Sequence, residues 1–284
     1  MKGIRCIIIF QGEDKNMINF GCHNFLNAKP LTFALTNGIL KHNFELISDT
    51  PANLSDMIKE GRLDIAVIPS IEYARILGLK LIRDFSISSL GAVNTVLLFS
   101  KNEIHDIETV AVDNSSRTSV AMLKIILKER FKVSPDFIPV KPVISEMMAQ
   151  ADAGLIIGDN ALKINRKKFV TYDLGEEWYL LTGRPFVHAV LAVRDGIDLG
   201  DGLNILKKAK EIGLSSINEI SSEESKRLKI SKEVCIDYLT KRIIYEFGDN
   251  EIDGLHYFYK LSKEHGIIDK DVRLQFYEGT KQKD

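Results

Sequence analysis

The sequence lacks several features that would assign it to large and familiar classes of protein. Its three cysteines (Cys6, Cys22 and Cys235) are far apart, so they form neither a disulfide framework nor a zinc-binding spacing. No apolar run is long enough to cross a membrane, and the apolar stretch 6–10 is too short for the core of a signal peptide. The 38 basic and 39 acidic residues are balanced and well mixed, which argues against a nucleic-acid or anionic-membrane surface. We expect a cytoplasmic protein that contacts neither nucleic acid nor membrane, with residues 1–16 as an N-terminal extension.

Common catalytic signatures are also missing from the sequence. There is no GxGxxG motif after a strand, no phosphate-binding P-loop and no GxSxG nucleophile elbow. The six histidines include no pair at the helical spacing of metal ligands, and no obvious carboxylate pair is present. A phosphotransferase, a nicotinamide-dependent dehydrogenase, a serine hydrolase and a metal site therefore have no support in the sequence.

What the sequence does contain is an alternation of strands and helices. The chain has 284 residues, 45% of them hydrophobic and 27% charged, as in a soluble globular protein of one large or two ordinary domains. Buried strands are predicted at 17–22, 44–47 and 64–68, each followed by a helical segment, and the same pattern restarts at 109–112. Such alternation predicts an α/β fold with a parallel or mixed sheet.

Two long apolar runs, 93–100 and 186–194, divide this pattern into two lobes. We expect a first lobe of residues 17–100, completed by the helical tail 195–284, and a second lobe, 101–194, inserted between them. Because the two apolar runs would join the lobes twice, they predict a hinge with a central cleft that closes on a ligand.

The strongest candidate site is the hydroxyl-rich turn that opens the helix after the strand 109–112. Within five residues it carries four hydroxyls and one guanidinium, on Ser115, Ser116, Arg117, Thr118 and Ser119. The first turn of a helix has backbone N–H groups without partners and a partial positive charge, and these side chains add further donors. The turn therefore predicts a seat for a small anion. The alternative is a well-capped helix, since serine and threonine are ordinary capping residues.

Other polar residues also follow predicted strands. Asn27 lies just before Pro30, which suits the first turn of a helix, Ser70 follows the strand 64–68, and Asp159 opens a short helix. Ligands of open α/β sheets bind at the carboxyl ends of strands, which would bring all three residues to the cleft. Helix capping is the alternative for Asn27 and Asp159. Amides and hydroxyls suit a small carboxylic acid, so the residues alone predict a two-lobed protein that binds a small organic anion.

Several stretches of the chain also match a known family. They are FLNAKPL at 25–31, LDIAVIPSIEY at 63–73, SSRTSV at 115–120, IGDNAL at 157–162, and DLGEEW at 173–178 running on to TGRPFV at 182–187. They occur in the order of the family and cover roughly residues 17–194, while the tail matches only as helical. In these stretches the sequence resembles chorismate dehydratase, the first enzyme of the futalosine route to menaquinone.

The resemblance implies a two-lobed type II periplasmic-binding-protein-like fold, with a double-crossover hinge, used as a cytoplasmic enzyme. It implies a carbon–oxygen lyase that removes water from chorismate to give 3-(1-carboxyvinyloxy)benzoate, with neither cofactor nor metal. Because loss of water makes the ring aromatic, much of the driving force belongs to the substrate. The enzyme must orient chorismate, hold its two carboxylates and assist the departing hydroxyl. No protein base is evident, so the proton is expected to go to a substrate carboxylate.

Individual roles follow from the matched positions. The family's catalytic asparagine falls on Asn27, and its hydroxyl residue on the crossing strand, usually serine, falls on Thr95. Both are expected to hydrogen-bond the ring hydroxyl or the enolpyruvyl group. The turn 115–119 is expected to hold one carboxylate, with Ser70, Gly91 and Asp159 as further substrate contacts. Arg117 of that turn either pairs with the substrate or braces the hinge.

A few positions depart from the family pattern. Ala92 stands where proline is often found, Thr95 replaces serine, and Cys22-His23 is not the common form. His188 stands where a bulky apolar residue is usual, and a buried neutral histidine is expected there, with a cleft histidine as the alternative. Two other functions remain open: a small-carboxylate-binding protein of the same fold, and the sister enzyme 1,4-dihydroxy-6-naphthoate synthase, which relies on a catalytic histidine. No histidine of this chain sits in a motif matching that sister enzyme.

Overall fold

The structure, a computed structural model, describes residues 17–113 and 115–279. The expected N-terminal extension, 1–16, lies outside the described residues. The strands are β1 Ile18–Gly21, β2 Phe44–Ile47, β3 Ile65–Pro69, β4 Leu79–Ser89, β5 Val96–Ser100, β6 Thr109–Val112, β7 Asp136–Pro139, β8 Ala153–Ile157, β9 Val170–Asp173 and β10 Phe186–Arg194. The α-helices are α1 Lys29–Thr36, α2 Pro51–Lys59, α3 Ser70–Arg75, α4 Arg117–Glu129, α5 Ile144–Gln150, α6 Leu174–Thr182, α7 Gly202–Ser215, α8 Ile217–Leu228, α9 Lys232–Asp237 and α10 Asp249–Glu264.

The strands form two five-stranded mixed sheets with matching layouts. The first has the order β2-β1-β3-β10-β4 and the second the order β7-β6-β8-β5-β9. In each, three neighbouring strands are parallel, and the fourth strand in the order runs antiparallel to the strands on both sides of it. The predicted two-lobed α/β architecture is confirmed. We call the first sheet with its helices the first lobe and the second sheet with its helices the second lobe.

The two antiparallel strands, β5 and β10, are the runs that cross between the lobes. The chain leaves the first lobe after β4, and β5 pairs with β8 and β9 in the second sheet. It returns after α6, and β10 lies between β3 and β4 in the first sheet. The expected boundaries at residues 100 and 194 lie at the carboxyl ends of these two strands, each of which pairs within the sheet that the chain is entering. A strand buried on both faces is apolar whichever sheet it joins, so its sequence does not name its partner.

Local sequence explains where several helices begin and end. In α2, the Thr50 hydroxyl accepts a hydrogen bond from the Asn53 amide, and Pro51 occupies the first helical turn. In α6, the Asp173 carboxylate caps the first turn, and Gly183 ends the helix with a left-handed conformation at φ 68°. Each of these helices therefore begins shortly after the carboxyl end of a strand, α2 after β2 and α6 after β9.

The helical tail completes the first lobe. Helix α7 packs on α1 so closely that a β-carbon on Gly213 would stand 1.8 Å from the carbonyl oxygen of Pro30. Trp178 of α6 is fully buried, with its ring centroid 5.0 Å from that of Phe186 in β10 and 5.9 Å from that of Phe258 in α10. One buried apolar cluster therefore runs through both lobes, and a smaller one fills the opposite face of the second sheet.

Candidate active site

A cavity lies between the lobes and encloses about 570 Å³ together with its opening to solvent. The first lobe contributes His23, Phe25, Asn27, Pro51, Pro69, Ile87, His188 and Ala189 to its wall. The remaining wall residues are Val93, Thr95, Val96, Ser115, Ser116, Arg117, Thr118, Ser119, Ile157 and Gly158. The wall is mostly apolar with a few polar groups, and it includes both predicted catalytic residues and the whole hydroxyl-rich turn.

Asn27 and Thr95 meet at a residue that the sequence did not single out. The Asn27 side-chain amide nitrogen donates to the Tyr238 hydroxyl at 3.1 Å, and the Thr95 hydroxyl lies 2.9 Å from the same oxygen. Tyr238 is 2% exposed and begins a π-helical segment, Tyr238–Arg242. The Asn27 carbonyl oxygen is buried and has no hydrogen-bond partner among the described residues. The side chains of Asn27, Thr95 and Tyr238 thus form one polar cluster, in which Asn27 and Thr95 line the cavity and Tyr238 lies behind them.

The loop before Thr95 is held by the second lobe. The Asp173 carboxylate accepts hydrogen bonds from the backbone amides of Val93 at 3.0 Å and Asn94 at 2.6 Å. Asn94 has a left-handed conformation, φ 66°, which asparagine tolerates better than most residues. Arg166 donates to the Asn94 carbonyl at 3.0 Å and to its side-chain oxygen at 3.2 Å. These contacts fix the backbone just before Thr95, which directly precedes β5.

The hydroxyl-rich turn does not behave as an ordinary helix cap. Ser116 occupies the capping position of α4 but makes no side-chain capping hydrogen bond, and its buried hydroxyl has no partner in the described part of the chain. The Thr118 hydroxyl accepts from the Ile71 amide at 3.2 Å, and the Ser115 hydroxyl donates to Asp113. Hydroxyls that line a cavity without capping their helix favour the anion seat over the capping alternative.

Arg117 braces the two lobes. Its guanidinium donates to both oxygens of Asp56 in α2, at 3.0 and 2.9 Å, and to Glu72 in α3 at 2.9 Å. The hydrogen bond to Asp56 raises the pKa of Arg117, which remains a cation. Although Arg117 also lines the cavity, its charge is matched by two carboxylates of the first lobe. Of the two roles left open by the sequence, the structure favours bracing.

Three predicted substrate contacts lie outside the cavity wall. The fully buried Ser70 hydroxyl donates to the Val187 carbonyl at 2.6 Å. Asp159 accepts from the Leu26 amide at 2.9 Å and pairs with Arg227 at 2.8 Å, so it joins the second lobe to the first. Gly91 has φ 81°, and its carbonyl oxygen would stand 2.5 Å from a β-carbon on Gly175. The side chains of Ser70 and Asp159 are thus hydrogen-bonded within the protein, and Gly91 packs closely against Gly175.

Two histidines line the cavity instead. His188 bonds the Ser89 hydroxyl at 2.9 Å through Nε2, while Nδ1 of His188 and Nδ1 of His23 are buried and have no partner among the described residues. Burial lowers the pKa of His23 to about 4 and that of His188 to about 3, so both imidazoles are neutral at pH 7. His188 is therefore both neutral, as expected, and in the cleft.

Two features of the chain bear on other kinds of site. In the ranges 17–113 and 115–279, no group of three or more His, Cys, Asp or Glu side chains is placed to hold a metal ion. No helix in these ranges combines the length and the apolar character needed to cross a membrane.

Comparison with known proteins identifies the family. A family model described as menaquinone biosynthesis matches residues 18–264. This chain belongs to that family. A chorismate dehydratase of Thermus thermophilus is 28% identical over 238 residues, covering 77% of this chain and 86% of the relative. A chorismate dehydratase of Campylobacter jejuni is 32% identical over 176 residues, covering 60% of this chain and 65% of the relative. Two predictions are thereby confirmed. The chain resembles the chorismate dehydratases, and it is an enzyme.

Solved structures of proteins with much lower sequence identity share the fold of this chain. A protein of Archaeoglobus fulgidus has a TM-score of 0.70 at 14% identity, covering 89% of this chain and 98% of that one. The periplasmic aliphatic sulphonate binding protein of Escherichia coli has a TM-score of 0.63 at 13% identity, covering 95% of this chain and 96% of that one. A Candida albicans protein described as having the generic periplasmic binding protein fold has a TM-score of 0.64 at 12% identity, covering 95% of this chain and 100% of that one.

Proposed function

We propose that this chain removes water from chorismate to give 3-(1-carboxyvinyloxy)benzoate, the first step of futalosine-dependent menaquinone biosynthesis, and that it does so in the cytoplasm. The observation that carries the proposal is the meeting of Asn27 and Thr95 at one hydroxyl, on the wall of a cavity between the lobes. The chain's family and its two curated relatives support the substrate.

The proposed binding mode uses the two sides of the cavity differently. Chorismate carries two carboxylates and a ring hydroxyl next to an enolpyruvyl ether. One carboxylate sits at the first turn of α4, where the backbone amides and the hydroxyls of Ser116 and Ser119 supply donors. The ring hydroxyl faces Asn27 and Thr95. The apolar wall, including Phe25, Val93 and Ile157, excludes water and so strengthens these hydrogen bonds.

The reaction itself transfers one proton and expels one hydroxide. The C–H bond on the ring carbon that carries the enolpyruvyl oxygen breaks, and its electron pair forms the new ring double bond. The C–O bond to the hydroxyl on the adjacent ring carbon breaks at the same time or afterwards. The hydroxide leaves as water once it gains a proton, so no net proton is consumed. No carboxylate is among the described residues of the cavity wall, which supports a substrate carboxylate as the first proton acceptor. The neutral imidazoles of His23 and His188 are the alternative acceptors in the wall.

A second candidate function is binding of a small carboxylate without turnover. It is favoured by the solved structures of similar fold, one of which is a periplasmic binding protein. The sister enzyme 1,4-dihydroxy-6-naphthoate synthase is a third candidate, because the cavity contains two histidines. Chorismate dehydration remains the proposal, since it uses the Asn27 motif that the other two functions leave without a role.

Variants of Asn27 and Thr95 test the proposal. We expect Asn27→Ala and Thr95→Ala each to lower kcat for chorismate by about 100-fold or more, the usual loss for a group that acts on the departing charge. Asn204→Ala is the matched control, because Asn204 is exposed on α7 and does not line the cavity. Full turnover in Asn27→Ala would overturn the assignment.

A further inference from the structure

The Tyr238 hydroxyl sits between the two proposed catalytic side chains and comes from a distant part of the chain. Tyr238 is 211 residues from Asn27 and 143 residues from Thr95. We propose that Tyr238 is a positioning residue that sets which hydrogen-bonding groups Asn27 and Thr95 present to the substrate. This inference rests on the proposed function and adds a residue and a role to it.

The direction of each hydrogen bond follows from counting donors. An amide nitrogen only donates, so the Tyr238 oxygen accepts from Asn27. The Tyr238 hydroxyl can donate one hydrogen. Among the described residues, the hydroxyl oxygen of Thr95 is the acceptor within its reach. A buried donor left unpaired is costly. Thr95 lines the cavity, where its hydrogen can meet a ligand, whereas Tyr238 does not, so we infer that Tyr238 donates to Thr95. The chain of bonds therefore runs from the Asn27 amide through Tyr238 to the Thr95 oxygen.

This direction fixes what remains for the ligand. With its nitrogen engaged by Tyr238, Asn27 presents its carbonyl oxygen, which is buried and has no partner in the described part of the chain. With its oxygen accepting from Tyr238, Thr95 presents its hydroxyl hydrogen. One free acceptor next to one free donor matches a hydroxyl group, which donates once and accepts at its oxygen. The pair is thus built to hold the ring hydroxyl and to donate to its oxygen as the C–O bond breaks.

The surroundings keep Tyr238 in this role. Its side chain is 2% exposed, and burial raises its pKa, so the phenol stays protonated and remains a donor. Its ring is fixed at the start of the π-helical segment Tyr238–Arg242, a helix type that often marks functional sites. Since Tyr238 does not line the cavity itself, it acts through Asn27 and Thr95 rather than on the substrate.

Tyr238→Phe tests the inference because it keeps the ring and removes only the hydroxyl. We expect kcat for chorismate to fall by about 10- to 100-fold, the usual loss for a partner that orients a reacting group, with KM within threefold. Affinity for 3-(1-carboxyvinyloxy)benzoate should stay within twofold, because that product has no ring hydroxyl to hold. A loss of product affinity equal to the loss of kcat would indicate a general disturbance of the cavity and would overturn the inference.

A double-mutant cycle supplies the sharper test. If Tyr238 acts through Thr95, adding Tyr238→Phe to Thr95→Ala or to Thr95→Val should lower kcat by less than the same change does in the wild-type protein. Independent, multiplicative losses would overturn the inference. Tyr245→Phe is the matched control, because Tyr245 is also buried but its hydroxyl has no partner among the described residues. Its kcat should match the wild type.

The outcomes separate this inference from the proposed function. If the wild-type protein does not convert chorismate, the proposed function fails and the inference fails with it. If the wild type turns over and Tyr238→Phe keeps full kcat, the inference alone is overturned. If Tyr238→Phe does not fold, Thr95→Val provides the test, because it keeps Tyr238 and removes the Thr95 hydroxyl to which Tyr238 donates. Full kcat in Thr95→Val would then overturn the inference together with the catalytic role of Thr95, while turnover of chorismate by the wild type would still stand.

Discussion

Arg117 at the start of α4 and Asp56 on α2 are joined by two hydrogen bonds, 3.0 and 2.9 Å long, that link the second lobe to the first. On another part of the junction, Asp159 of the second lobe pairs with Arg227 of the first at 2.8 Å. Both connections use residues that the sequence suggested for substrate binding. The cavity therefore lies between lobes that are already tied together in this conformation.

Loss of Arg117 should destabilise the protein. The side chain of Glu72 is only 7% exposed and pairs with Arg117 and Arg75. In Arg117→Met, the partly exposed Arg75 is the ion-pair partner that remains for Glu72. We expect the free energy of unfolding in urea to fall by about 2 kcal/mol, since breaking a largely buried pair is costly. Arg62→Met is the control, because Arg62 and Glu60 are both more than half exposed, and such pairs contribute about 0–1 kcal/mol. Equal stability of the two variants would contradict a bracing role.

Removal of the Ser116 hydroxyl should weaken substrate binding without harming the fold. That hydroxyl is buried without a partner in the described ranges, so Ser116→Ala should leave the unliganded protein at least as stable. We expect KM for chorismate to rise about 10-fold, as when one hydrogen bond to a charged group is lost. Ser115→Ala should raise KM less, because the Ser115 hydroxyl hydrogen is already donated to Asp113. A melting temperature below that of the wild type would show that Ser116 supports the fold instead.

The buried His23 should make stability depend on pH. Burial lowers its pKa from 6.5 to about 4, so between these values the unfolded chain binds a proton that the folded protein does not. Stability should therefore fall as the pH drops from 6.5 towards 4, by about 1.4 kcal/mol per pH unit for this group, and His23 adds nothing further below 4. His23→Gln should show a flatter dependence in urea unfolding at pH 7, 6 and 5. An unchanged slope in the variant would contradict a neutral, buried imidazole.

Part of the site could be predicted from local features of the sequence, and part only from the family resemblance. Asn27 and the turn 115–119 follow strands whose carboxyl ends meet at the cleft, whereas Thr95 was assigned a role only because the resemblance placed the family's hydroxyl residue there. Ser70 and Asp159 also follow strands, yet their side chains bond to Val187 and to Leu26 and Arg227. Position after a strand brings a residue near the cleft, but which way its side chain turns depends on partners far along the chain.

Tyr238 shows what the sequence could not reveal. It lies in a helical tail that matched the family only as helical, and a tyrosine there is typical of an apolar core. Its role depends on two contacts with residues 143 and 211 positions away, which no periodicity records. The sheet that each of β5 and β10 joins could not be read from the sequence for a similar reason, because strands buried on both faces are alike in sequence.

The measurement that tests the central claim most directly is incubation of the purified protein with chorismate, followed by mass spectrometry and ultraviolet absorbance. We expect a product lighter by one water, with the absorbance of a substituted benzoate, and no requirement for added metal or cofactor. Unchanged chorismate together with a raised melting temperature would contradict the dehydratase and indicate a binding protein. Unchanged chorismate with no effect on melting would contradict the choice of ligand as well.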